Sequence, residues 1–178
     1  MLEPEKVVSS EIIYVGSRVN VRRDVISLPN GSLASRDVVE HPDAVSIVAI
    51  DGDRKVLLVK QYRRATNAFM LEVPAGVIDS NEKPIDAAQR ELREETGYQA
   101  ESLGFLGSFY AAPGILTERM HAFLATGLTE NPLPADEDEN IQVERIPLAD
   151  AFQMASSGVL IDAKSIVSLL LTKNILES

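Results

Sequence analysis

The sequence predicts an α/β domain layered around a mixed sheet, and three observations carry that prediction. Two uninterrupted apolar runs of strand length, "AVSIVAI" and "KVLLVKQY", are separated only by "DGDR". Such runs belong to strands covered on both faces. Apolar residues recur at helical spacing in three other stretches, 84–96, "LADAFQMASSG" and "AKSIVSLLLTKNIL". The 178 residues, 45% of them hydrophobic, suffice for one core with a small appendage.

The elements follow in order. "EIIYVG", "RVNVRRDVISL" and "SRDVVE" alternate or cluster β-branched residues, and "PNG" at 29–31 is a turn signal among them. Residues 1–40 therefore read as an N-terminal β region, with the main domain at 41–178. The two apolar runs form a hairpin whose Asp-Gly suits a tight turn. "FMLEVPAG" is a strand that ends at Pro74 and Gly76. Pro84 then fits a first helical turn and Gly97 a helix stop, which predicts a helix over 84–96. Strands "LGFLGSFY" and "MHAFLATGL" flank the loop "AAPGILTE", and "IQVERIPL" follows the acidic run "ADEDEN" at 135–140. Two helices close the chain, the first ended by Gly158.

Composition narrows the function. A formal charge of −10 opposes nonspecific binding to nucleic acid or to an anionic membrane, because both rely on Lys and Arg against phosphate. No apolar window is long enough to span a bilayer, and "MLEPEKVVSSE" lacks a secretory pattern, so a cytoplasmic setting is expected. Without cysteine, a metal must be held by oxygen or by His41 or His121. Both histidines read as structural, one before a proline and one within a strand. An anionic substrate would need a local cation to overcome the global repulsion.

The helix supplies a place for one. At about 100° per residue, Ile85, Ala88 and Leu92 share an arc that should face the core, with Asp86, Gln89 and Arg93 towards water. Glu91, Glu94 and Glu95 share an adjoining stripe with Ala87. One reading is a solvated face on which Arg90 pairs with Glu94; like charges at this spacing nonetheless cost roughly 0.2–0.5 kcal/mol per pair, more where water is excluded. A hard divalent cation reverses the sign of that cost and takes oxygen ligands.

With its flanks the segment reads Gly76, five residues, Glu82, seven residues, Arg90-Glu91-Leu92, then Glu94-Glu95 and Gly97-Tyr98. This spacing resembles the Nudix box of the Nudix hydrolases, departing only at Tyr98, where an aliphatic residue is usual. The resemblance implies a loop-helix-loop in an α/β/α sandwich that binds magnesium or manganese and hydrolyses a nucleoside diphosphate linked to another moiety. It implies Glu91 and Glu95 as main metal ligands, Glu94 as a secondary one and the Ala75 carbonyl as another. Arg90 would orient the glutamates, Glu82 would brace the loop, and Gly76 would let the backbone turn so that a carbonyl faces the ion.

Stretches outside the box resemble the ADP-ribose pyrophosphatase subfamily. Pro113 lies sixteen residues beyond Gly97, with Gly114 and Glu118 following, as in that subfamily's marker. "KQYRR" and "LEVPAG" match the strands before the box, where Arg63 would meet a phosphate and Glu72 the substrate. A carboxylate placed among apolar residues, as Glu72 is, also needs a partner. "SRDVVEHPDAVSIVAI" places Arg36 where relatives reach into a neighbouring subunit's site, which implies a homodimer formed through the N-terminal strands. By the same resemblance the acidic loop holds a base, Glu137, and a further metal ligand, Glu139; the two exchange under a shifted register, and Asp136 and Asp138 are alternatives. Where some relatives stack an aromatic ring on adenine, this chain has Ser17 and Arg18. The implied reaction is hydrolysis of ADP-ribose to AMP and ribose 5-phosphate, with another nucleotide sugar, GDP-mannose or ADP-glucose, as the alternative. The rival of another class is a noncatalytic ligand sensor.

Overall fold

A computed structural model of the chain describes residues 3–134 and 140–177. Within them the backbone forms ten strands and three helices. It divides into two compact units: the residues through Asp43 together with Tyr110–Arg119, and Ala44–Phe109 together with the chain from Met120 onward.

In the first unit β1 (Lys6–Val15), β2 (Asn20–Ser27) and β3 (Leu33–Glu40) form an antiparallel sheet in that order. The "PNG" stretch turns between β2 and β3, with Gly31 at φ 83° and Asn30 Oδ1 accepting from Ser32 N at 3.0 Å. All of β1 is exposed, including Val7, Val8, Ile12, Ile13, Tyr14 and Val15.

The second unit is built on β4 (Ala44–Ile50), β5 (Lys55–Arg63), β6 (Ala68–Glu72), β7 (Ala75–Val77), β8 (Tyr98–Tyr110), β9 (Arg119–Glu130) and β10 (Ile141–Pro147). The sheet order is β10-β5-β4-β9-β8, with β6 on β5 and β7 on β4. β4 runs parallel to β9 and antiparallel to β5 and β7, so the sheet is mixed, as predicted. Helix α1 (Pro84–Thr96) shares one core with Val45, Ile47 and Ala49 of β4. Helices α2 (Leu148–Ser157) and α3 (Ala163–Leu176) pack with Val48 in the other, through Leu148, Ala151, Phe152 and Leu169. This alternation explains the unbroken apolar run of β4, which feeds two cores from successive residues. Among the described residues no helix is long and apolar enough to cross a membrane.

One local expectation holds and one is corrected. In "DGDR" the tight turn forms, with Arg54 N donating to Asp51 O at 3.1 Å and Arg54 in the left-handed region at φ 59°. Asp51 Oδ1 sets that turn by accepting from Asp53 N at 3.0 Å and Lys55 N at 2.9 Å. On α1, Ile85 is 44% exposed, whereas Ala87, Ala88 and Leu92 are fully buried. The two alanines let the helix sit close to the sheet, and because Ala87, Glu91 and Glu95 lie four residues apart, that rotation carries both glutamates inward. They are 9% and 6% exposed.

Leu92 is the largest side chain that α1 contributes to its core, at 0% exposure. Leu92→Ala should lower stability by about 2–5 kcal/mol, seen as a lower urea midpoint with unchanged slope.

Candidate active site

The site is assembled from the β6–β7 segment and α1. Ile47 N on β4 donates to Pro74 O at 2.8 Å, which anchors the chain as it passes from Glu72 into β7. β7 pairs with β4, Val45 opposite Gly76 and Ser46 opposite Ala75. The loop after β7 folds back on itself, where Asp79 N donates to Glu82 Oε2 at 3.0 Å and Glu82 N to Asp79 O at 3.0 Å. Pro84 opens α1, and Gly97 closes it at φ 80° by donating to Arg93 O at 3.1 Å.

Arg90 ties these pieces together. Its Nε donates to Glu82 Oε1 at 3.0 Å, and Nη2 donates to Glu82 Oε2 at 3.0 Å and Val77 O at 2.9 Å. Nη1 donates to Glu91 Oε1 at 2.6 Å and Glu94 Oε2 at 2.9 Å. A guanidinium has five N–H groups in a fixed fork, and these bonds engage all of them. The surrounding carboxylates, Glu82 foremost, push the Arg90 pKa further up, so it is charged at every relevant pH. In return its hydrogen bonds hold Glu82 below the usual carboxylate range against the opposing effect of burial, with help from Asp79 N.

Glu95 is placed separately, its Oε2 accepting from Ala75 N at 2.9 Å. Gly76 is corrected in its reason: it lies in β7 without a positive φ, and what it provides is space. A Cβ there would stand 2.0 Å from the Glu91 carboxyl carbon. The glycine thus lets a buried carboxylate lie directly against the strand.

One arginine faces three glutamates, with Glu95 alongside, so negative charge is in excess where water is scarce. Among the described residues no three carboxylates or imidazoles converge as a preformed metal site. Arg90 draws Glu91 and Glu94 to itself while the backbone takes Glu95, and like charges stay apart unless a cation gathers them. The donor set is entirely oxygen, the Gly76 cradle keeps Glu91 at the strand, and the charge excess suits a hard divalent cation.

Arg63 binds Glu72 in a fork, Nε to Oε1 at 2.8 Å and Nη2 to Oε2 at 2.7 Å, and lies within the field of Glu95. Glu72, 1% exposed, has that partner and a second, Lys164 of α3. Arg36, Gly114 and Glu118 belong to the first unit. There Arg36 Nη2 donates to Glu5 Oε1 at 2.7 Å, Glu118 Oε1 lies 3.1 Å from His41 Nδ1, and Gly114 sits in open space. The same unit has a pocket of about 250 Å³ lined by Gly16–Asn20 and Glu40–Pro42, which includes Ser17 and Arg18. Glu137 and Glu139 lie outside the described residues, as do Asp136 and Asp138. Tyr98, the departure from the box pattern, packs its ring 5.3 Å beneath the Arg145 guanidinium and accepts a hydrogen bond from it. Sequence reasoning missed Asp162, Lys164 and Ser165; "IDAKS" carries a helix-cap signal at Asp162, but nothing local connects it to Glu72.

The Glu82–Arg90 pair makes stability pH-dependent. Because Glu82 titrates lower folded than unfolded, its contribution is fully present above roughly pH 4.3 and is lost as pH falls through the lower folded value. Glu82→Gln should therefore destabilise by about 1–3 kcal/mol at pH 7, and denaturant titrations should show the gap to wild type closing towards pH 3. Gly76→Ala should displace Glu91 and cost about 1–3 kcal/mol by the same measurement.

Known proteins align with this architecture. The NUDIX domain profile matches residues 40–168. A methanol dehydrogenase activator of Bacillus methanolicus is 37% identical over 166 residues, covering 92% of this chain and 90% of that protein. An ADP-ribose pyrophosphatase of Bacillus subtilis (strain 168) is 37% identical over 163 residues, covering 90% and 88%. The crystal structure of an ADP compounds hydrolase superposes with a TM-score of 0.90 at 27% identity, covering 99% of this chain and 96% of that one. The profile spans the strands and the helix that carry the Arg90 cluster, and together with these relatives it shows that the chain belongs to the Nudix family.

Proposed function

We propose that this chain is a divalent-metal-dependent pyrophosphohydrolase that cleaves ADP-ribose with water to AMP and ribose 5-phosphate. The observation that carries the reading is the Arg90-centred carboxylate cluster, set against β7 at a glycine where an added Cβ would overlap the Glu91 carboxyl group. Relatives named as acting on ADP-ribose or ADP compounds support the substrate.

Glu91 and Glu95 are the main ligands in this reading, with Glu94, the Ala75 carbonyl and Glu139 contributing, and magnesium or manganese is the ion. Such an ion neutralises phosphoryl oxygens and makes water a better nucleophile. The chain's residues do the rest. Arg90 holds Glu91 and Glu94 in fixed orientation through Nη1. Arg63, its Nε and Nη2 held by Glu72, offers Nη1 to a phosphate oxygen. Glu137 accepts the proton of the attacking water as the oxygen bonds to phosphorus and the bridging P–O bond breaks. Glu118, Gly114 and Arg36 bind the remainder of the substrate, Arg36 from a neighbouring copy.

The dimer is part of the same reading. β1 is an edge strand with its apolar residues in solvent, the kind of surface that pairs with a second chain. The N-terminal region, residues 1–40, thus serves a homodimer of a cytoplasmic enzyme with a small-molecule substrate, while residues 41–178 form the catalytic domain. A second reading, a noncatalytic regulator, draws on the relative named as a dehydrogenase activator. It conflicts with an intact box, since Glu82, Glu91, Glu94 and Glu95 are all present.

A panel of nucleoside diphosphate substrates, assayed with magnesium and with chelator, separates these readings. ADP-ribose should give the highest kcat/KM and lose turnover in chelator; GDP-mannose preference would replace the substrate, and ADP-ribose binding without any turnover would favour the regulator. Glu95→Gln should retain the fold and lower kcat about a hundredfold or more, equivalent to roughly 2.7 kcal/mol of transition-state stabilisation.

A further inference from the structure

Buried charge at the end of β6 points to a part for α3. Burial pushes the Glu72 carboxyl up, but the Arg63 hydrogen bonds and the Lys164 charge outweigh it and hold the group below its ordinary range. Lys164, in the first turn of α3, donates to Glu72 Oε2, the same oxygen that Arg63 Nη2 uses. Its ammonium also pairs with Asp162 at 3.0 Å. Asp162 caps α3, its Oδ2 accepting from Ser165 N at 2.9 Å, and Ser165 Oγ accepts from Val73 N at 2.8 Å. One helical turn therefore grips two successive residues, Glu72 and Val73. Two residues further on, Ala75 N meets Glu95.

The consequence falls on Arg63, whose side chain is 40% exposed. Its fork onto Glu72 uses Nε and Nη2, so the fork's direction sets where Nη1 points. Glu72 can fix that direction only if its own carboxylate is fixed, and a buried carboxylate with a single mobile partner is not. We propose that Lys164 is a positioning residue: anchored by Asp162, it locks Glu72, and through Glu72 it holds the Arg63 guanidinium at the angle that meets a substrate phosphate. This rests on the pyrophosphohydrolase reading above.

Steady-state kinetics across the nucleoside diphosphate panel in excess magnesium test it, with wild type, Lys164→Met, Lys164→Arg, Arg63→Met and the double variant. Lys164→Met should raise KM for the preferred substrate about tenfold with kcat changed less than about threefold, the mark of lost uniform binding. Lys164→Arg should restore KM, and in the Arg63→Met background Lys164→Met should add almost nothing. An unchanged KM in Lys164→Met, or full additivity with Arg63→Met, overturns the positioning role while leaving the pyrophosphohydrolase reading intact. Wild type that turns over no member of the panel overturns both. Should Lys164→Met fail to fold, Lys164→Gln, which keeps a donor without the charge, is read in the same way: a raised KM that vanishes without Arg63 supports the role, and additivity ends it.

Discussion

The five-fold engagement of Arg90 is the constraint on which the charged part of this fold depends. A carboxylate that leaves water must find another charge or protonate, and here three glutamates from the loop and the helix find the same one. Arg90 also holds the Val77 carbonyl, so strand, loop and helix are joined at a single planar group. Lysine could not substitute, because an ammonium has three hydrogens and no fork to spread them across four partners. The rigidity of the guanidinium becomes the rigidity of the glutamates.

Space is the complementary constraint. Ala87 and Ala88 let α1 approach β4, and Gly76 lets Glu91 touch β7. Small residues on both sides of the contact bring polar groups into a layer that would otherwise be filled by apolar side chains. The site is consequently a modification of the core, made where small residues of helix and strand face each other. On the opposite face α3 performs a similar service with Lys164 and Ser165 directed at β6 and its exit.

Much of this was legible in the sequence because it is local. Pro84 and Gly97 bound α1 at the residues expected, since both act through their own backbone conformation. The burial of the sheet on both faces followed from the apolar runs of β4 and β5, and its mixed character from strands interspersed with three helices. The need of Glu72 for a partner could be stated from its apolar neighbours, and Arg63, nine residues away on the adjoining strand, provides one. Its second partner could not be foreseen, because Lys164 is 92 residues distant and only tertiary packing brings it there. The misplacement of Ile85 has a similar origin: helical periodicity gives an apolar arc, but the sheet chooses which part of that arc it covers. The role of Gly76 was misread because a glycine in a sequence suggests a turn, while a close approach leaves no local trace.

The parallel pairing of β4 with β9 carries a consequence for biosynthesis. Ala44 lies beside Met120, so the central strand must wait for a partner made 76 residues later. At roughly 5–20 residues per second of translation, that is about 4–15 seconds during which one of the most apolar segments of the chain lacks its neighbour. The hairpin with β5 and the short pairing with β7 are made earlier and give β4 a provisional shelter on its other edge. The order of elements along the gene is thus also an order of protection for the nascent chain.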